Sequence, residues 1–188
     1  MMRTVWLCIL ACALSVPACS SASSFPDRYD NQIQSAAKKF LPGIDWRLWK
    51  AQLYQESRLN PSAVSPVGAA GLAQFMPGTW VEVSRELGYG NISPHMTKQS
   101  IDAGAYYMAK MRKIWSAPRP EADRHSLAMA SYNAGAGNLI KSQKKAQGAS
   151  SYAEIIAKLP QVTGRYSEET KTYVQRIWSY WTQMLVKG

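Results

Sequence analysis

The stretch 54–80, YQESRLNPSAVSPVGAAGLAQFMPGTW, opens on one acid, Glu56, and holds no second acid before Glu82. The residues behind it suit the wall of a ligand groove. Ser65, Gly68 and Gly71 let a ligand come close to the backbone, Gln74 offers both a donor and an acceptor, and Met76 an adaptable apolar surface. A second dense spot, Ser131-Tyr132-Asn133-Ala134-Gly135, sets a phenol beside an amide at the end of a run of small residues. Such groups orient polar ligands and stabilise developing charge without adding an acid.

Most of the other acids have structural explanations. Glu82 and Glu154 follow Thr79 and Ser151 at capping-box spacing, Asp45 suits an N-cap, and Asp102, Glu168 and Glu169 suit first helical turns, where the dipole favours negative charge. Glu56 has no such role. It shares a helix face with Trp49 and Leu53 at i, i+4 and i+7, near the C-terminal end of its helix. Apolar burial and the dipole both disfavour its ionised form, which is what a general acid near neutral pH requires. The bland alternative stands beside this: Glu56 as a helix-end residue paired with Arg58, Tyr132 in the core, Asn133 as a cap, and 58–78 as a tight loop.

These groups are positioned by helices alone. The spacing predicts helices over 45–57, ended by Pro61, over 79–87 with Gly88 as its cap, and over 97–115 with Ile101, Ala105, Met108 and Trp115 on one side. Further helices are expected over 125–134 and 138–147, from Ser151 to Pro160, and over 167–185 with Val174, Ile177, Trp178, Trp181 and Leu185 at helical spacing. Irregular loops are left at 58–78, 88–96 and 160–166. Strand alternation never takes over, so the expected class is all-α.

At 188 residues the chain suits one compact domain. The segment 5–16 after Arg3 is an apolar run of export-signal type, too short for a membrane span. The division read from this is 1–19 as signal, 20–40 as tether and first helix region, and 41–188 as the catalytic domain. Val16-Pro17-Ala18-Cys19 resembles a bacterial lipobox apart from Pro17, which would make Cys19 a lipidated, membrane-attached residue. Cleavage after Ala18 or Ala22 is the rival, and an uncleaved anchor a third. Cys8, Cys12 and Cys19 all lie in this leader, and His95 and His125 are the only histidines, which excludes a Cys/His zinc site. The formal charge is +10, and loss of the leader removes Arg3 alone. A basic exported domain suits polyanionic partners, but no basic stripe interleaved with aromatics points to nucleic acid.

Four ordered motifs, Glu56-Ser57, Gly71-Leu72-Ala73-Gln74, Ser131-Tyr132-Asn133-Ala134-Gly135, and Glu169-Thr170 with Tyr173-Val174, resemble the soluble lytic transglycosylase (SLT) family over residues 42–185. The resemblance implies a goose-type lysozyme-like helical fold with a glycan cleft. It implies cleavage of the β-1,4 bond between N-acetylmuramic acid and N-acetylglucosamine with 1,6-anhydro ends, by an exported monomer of the periplasm or outer membrane acting on peptidoglycan strands, without metal or cofactor. Glu56 falls at the position of the single catalytic acid/base. Ser65, Gln74, Met76, Tyr132, Asn133, Glu169 and Tyr173 fall at substrate-binding positions. Two residues depart from the pattern: Ala73 stands for the usual methionine, reducing bulk beside the groove, and Ser131 for the usual alanine. A hydrolytic lysozyme of the same fold and a non-catalytic wall-binding protein are the alternatives.

Overall fold

The computed structural model describes residues 25–187, so the leader and its cysteines lie outside the described residues. The elements are α1 Asp30–Phe40, α2 Trp46–Ser57, α3 Pro77–Glu86, α4 Thr97–Ile114, α5 Glu121–Ala134, α6 Ala136–Lys145, α7 Tyr152–Ala157, α8 Pro160–Thr163 and α9 Tyr166–Lys187. Among the described residues there is no strand; isolated bridges Val64–Ala70 and Ala70–Phe75 tighten the loop between α2 and α3.

α2 is the element that carries Glu56, and both its ends are fixed. Asp45 caps it, its carboxylate accepting from the Arg47 N–H at 2.9 Å. It ends at Ser57, ahead of Pro61, because Arg58 and Leu59 turn left-handed at φ 55° and 60°. That conformation is costly for residues with a Cβ. Leu59 is held there by full burial, and Arg58 by lying over the Tyr54 and Tyr180 rings and donating to the Tyr180 hydroxyl at 2.9 Å.

Along α2, Trp49, Ala51 and Leu53 enter the core, each large side chain contributing about 2–3 kcal/mol by burial. Their main partner is α9, with α1 on another side. α1, which the division at residue 41 sets apart from the domain, buries Ile33, Ala36 and Ala37 in this same core. α4 lies between α1 and α5, and Trp115 at its end donates to Ser131 of α5 at 2.9 Å. α5 also meets α6, α7 and α9, and its last turn brings Asn133 to the cleft that Glu56 lines and Tyr132 to the Ala73 carbonyl.

Several local expectations are corrected. Thr79 and Glu82 form no capping box: Pro77 starts α3 two residues earlier, its N-cap Met76 makes no side-chain bond, and Glu82 bonds Lys110 at 3.0 Å. Ser151 does cap α7, with the Glu154 N–H donating to its Oγ at 3.3 Å, but the Glu154 carboxylate accepts from the Ser151 hydroxyl at 2.5 Å, so only one half of the box is made. Asp102 lies in the second turn of α4, bonded by Lys98 at 2.8 Å. α5 begins at Glu121, where Glu121 and Asp123 fill the first turn, and α6 at Ala136, Gly135 capping both helices. Residues 160–163, expected as loop, form α8. On α9, Leu185 is exposed and Met184 is buried instead.

Candidate active site

Glu56 sits in the last turn of α2, half-buried, with one carboxyl oxygen turned inward. The Tyr173 hydroxyl of α9 donates to that oxygen, Oε1, at 2.5 Å. Burial pushes the Glu56 carboxyl up from 4.5 to about 8, against the opposing effect of the Tyr173 hydrogen bond. At neutral pH this carboxyl holds its proton. The neighbouring Tyr132 and Tyr173 phenols are pushed well above the usual 10 by burial, reinforced by the Glu56 charge, so both remain proton donors throughout. Arg58 does not pair with Glu56; it is taken by Tyr54 and Tyr180.

Glu56 opens on a cleft of about 430 Å³ lined by Gln55, Glu56, Asn133, Glu168, Glu169, Thr172, Tyr173 and Arg176. A second hollow of about 430 Å³ continues past Asn133 and Glu169 to Asn138, Val162, Thr163 and Tyr166. Together they form an elongated groove suited to a chain-like ligand. Its long wall is α9, where Glu169, Thr172, Tyr173 and Arg176 recur at helical spacing. Asn133 is fixed at the junction, its Oδ1 accepting from Thr170 Oγ1 at 2.8 Å.

The candidate residues divide by place. Glu56, Asn133, Glu169 and Tyr173 line the cleft together. Tyr132 stands just behind, its hydroxyl donating to the Ala73 carbonyl at 2.8 Å. Ser65, Gln74 and Met76 are outside this lining. Ser65 accepts from the Ala69 N–H at 2.9 Å, and Gln74 donates to the carbonyls of Gly71 and Ala63 at 2.9 and 3.2 Å, so both brace the loop after α2. Met76 is exposed at the start of α3.

Ala73 is fully buried and lines neither hollow. A Cβ placed on Gly104 would come within 2.8 Å of the Ala73 Cβ and within 2.6 Å of Trp49, so the pair of small residues lets α4 close on the loop. Gly71 is required where it stands, at φ 78°, because a Cβ there would lie 2.0 Å from the Pro94 carbonyl oxygen.

Gln55, Thr172 and Arg176 line the cleft without having been singled out in the sequence. Gln55 directly precedes Glu56, and Thr172 and Arg176 flank Tyr173 at i−1 and i+3. Helical spacing from Glu56 and Tyr173 was the available signal.

Residues 31–155 match the family profile described as Transglycosylase SLT domain. Among curated relatives, the chain is 34% identical over 151 residues to membrane-bound lytic murein transglycosylase F of Shewanella pealeana, covering 76% of this chain and 30% of that protein. It is 37% identical over 120 residues to the protein of the same name from Pseudomonas syringae pv. syringae, covering 64% of this chain and 22% of that protein. The chain thus spans less than a third of the length of these relatives. Among solved structures, the lytic transglycosylase Slt of Pseudomonas aeruginosa, as an inactive mutant, superposes with a TM-score of 0.68 at 30% identity, over 86% of this chain and 25% of that one. The 70 kDa soluble lytic transglycosylase of Escherichia coli gives the same TM-score of 0.68 at 24% identity, over 85% of this chain and 24% of that one, and shows the shared fold.

Proposed function

The chain belongs to the transglycosylase SLT domain family, and from that premise we propose that it is a lytic transglycosylase of peptidoglycan with Glu56 as acid and then base. The supporting observation is the Glu56 carboxyl itself: protonated up to about pH 8, held by Tyr173, and open to a long groove. Protonated Glu56 gives its proton to the oxygen of the β-1,4 bond between N-acetylmuramic acid and N-acetylglucosamine, and the C1–O bond breaks with its electron pair leaving on that oxygen. The muramyl 6-hydroxyl then attacks C1, Glu56 takes its proton, and a 1,6-anhydro end results. An intramolecular nucleophile gains the proximity advantage that water lacks. Asn133 and Glu169 hold the glycan along α9, Tyr173 donates to the Glu56 carboxyl and stabilises the charge it takes on, and Tyr132, its proton given to the Ala73 carbonyl, ties the loop after α2 to α5 behind the cleft. Ser65 and Gln74 act on substrate through the loop they brace, and exposed Met76 offers an apolar contact to a longer glycan.

The test is digestion of purified cell wall followed by mass spectrometry. Glu56→Gln is expected to lose about 10²- to 10⁴-fold in rate, and wild type to release anhydro ends. A Gln variant as active as wild type would remove Glu56 from the chemistry. Glu169 in the same cleft is what a water-using lysozyme needs as second carboxylate. Reducing muramic ends, abolished by Glu169→Gln, would establish that hydrolytic route instead.

Export to the periplasm or outer membrane, as a monomer, completes the proposal. Attachment through a lipidated Cys19 and cleavage without lipid are separated by fatty-acid labelling of wild type against Cys19→Ser.

A further inference from the structure

Beneath the cleft lies a side chain that the mechanism above does not use. Gln52 precedes Glu56 by one turn of α2 and is fully buried. Its Nε2 donates to the Tyr173 phenol oxygen at 3.1 Å, and the phenol donates onward to Oε1 of Glu56 at 2.5 Å. The amide oxygen of Gln52 is buried with no partner. A buried amide that satisfies only its donor side gives up hydration it does not recover. An apolar residue of the same length would fill this space without that loss. The one bond Gln52 makes to another side chain is aimed at the phenol that touches Glu56.

A phenol carries one proton. With Gln52 presenting an N–H, the Tyr173 oxygen accepts on that side and its proton turns to Glu56. Oε1 is thereby held as an acceptor. Oε2 has no hydrogen-bond partner among the described residues, is not sealed in the interior, and opens on the cleft.

We propose that Gln52 is a positioning residue for proton transfer: it fixes Tyr173 as a donor to Oε1, and so places the transferable proton of Glu56 on Oε2, facing the substrate. This rests on the acid/base role of Glu56 set out above. Oε2 gives its proton to the glycosidic oxygen as the C1–O bond breaks, and takes the proton of the 6-hydroxyl as the O6–C1 bond forms. Oε1 stays on Tyr173 throughout. Without Gln52 the phenol is free to turn and accept from Oε1, which stabilises the protonated carboxyl and points its proton away from the bond to be cut. The other groups facing Glu56 keep their places: Tyr132 of α5 with Tyr107 of α4 behind it, Glu168, Glu169 and Arg176 of α9 across the cleft, and Arg58 turned to Tyr180.

The experiment is carbon-detected NMR titration of the Glu56 carboxyl in the free protein, with kcat and KM on glycan strands, for Gln52→Met alone and in a Tyr173→Phe background. The carboxyl midpoint in Gln52→Met should rise by about half to one pH unit, with kcat down about tenfold and KM within about twofold. In the Tyr173→Phe background the same substitution should change neither midpoint nor kcat. An unchanged midpoint, or an equal effect in the Phe background, overturns the proposal in favour of packing. A lowered midpoint also overturns it, because the amide would then present its oxygen to the phenol. One measurement needs no variant: the Gln52 Nε2–H resonance of wild type should move with the same midpoint as the Glu56 carboxyl, and a resonance indifferent to that titration refutes the relay. The titrations read the Gln52 coupling even if wild type fails to cut glycan, so the two proposals fail separately.

Discussion

Glu56→Gln should make the fold more stable in alkali, and the gain should vanish in acid. The Glu56 carboxyl titrates at about 8 when folded and at 4.5 when free of its surroundings. Between those values the folded chain keeps a proton that the unfolded chain has released. Unfolding then releases a proton, so stability falls as pH rises through this window and levels off above pH 8. At about 1.4 kcal/mol per pH unit, and allowing for the partial exposure of the carboxyl, the ionised side chain weakens the fold by about 3–4 kcal/mol. Glutamine has no proton to lose. Urea denaturation from pH 4 to pH 9 should therefore show the variant matching wild type at pH 4 and exceeding it by about 3–4 kcal/mol at pH 9. Every other titrating group is common to both proteins and cancels in the difference. Two curves that run parallel across the range would refute the claim that burial holds this proton.

Tyr173→Phe removes the one bond that favours the carboxylate, so the Glu56 midpoint should rise a further one to two units or so, from about 8, in an NMR titration. His125 carries the opposite slope: burial, with the Arg112 charge beside it, pushes its imidazole down from 6.5 to about 3. Stability from that residue is present above pH 6.5 and is lost as pH falls, so wild type should lose about 3 kcal/mol more than His125→Gln between pH 7 and pH 4 in urea denaturation. Gly71→Ala should cost about 2–4 kcal/mol by thermal or urea denaturation, from the left-handed backbone and the collision with the Pro94 carbonyl. An unimpaired variant would mean that the 58–78 loop sits elsewhere.

Legibility from sequence followed the range of the interactions. Trp49, Leu53, Ile101, Met108, Val174 and Ile177 repeat at helical spacing, and all are buried. Asp45 and the Ser151–Glu154 pair were readable because a cap and its helix are neighbours in the chain. The Thr79–Glu82 pattern misled for a related reason. Pro77 outcompetes it as a start two residues upstream, and Lys110, 28 residues away, claims Glu82. Glu56 was identifiable as an acid with no structural duty, yet its hydrogen-bond partner is 117 residues distant, and the Gln52–Tyr173 bond spans 121. No local pattern encodes such a meeting; it depends on how α9 returns across α2. At Ala73 a one-residue change shows its size in the sequence but not its direction. That direction, into Gly104 and Trp49, is set by tertiary packing.

The loop after Glu56 is fastened at several points to its surroundings. Ser57 donates to the Leu72 carbonyl at 2.9 Å, His95 reaches the Pro61 carbonyl at 2.8 Å, and the Gly71 backbone rests against Pro94. Such a loop has little freedom left to lose when a glycan settles along the groove, so its ordering adds little to the entropic penalty of association. Its motions should also belong to the domain as a whole. The amides of 70–75 are then expected to exchange with solvent as slowly as those of α4, in one cooperative unit, and not at the rate of an independent surface loop.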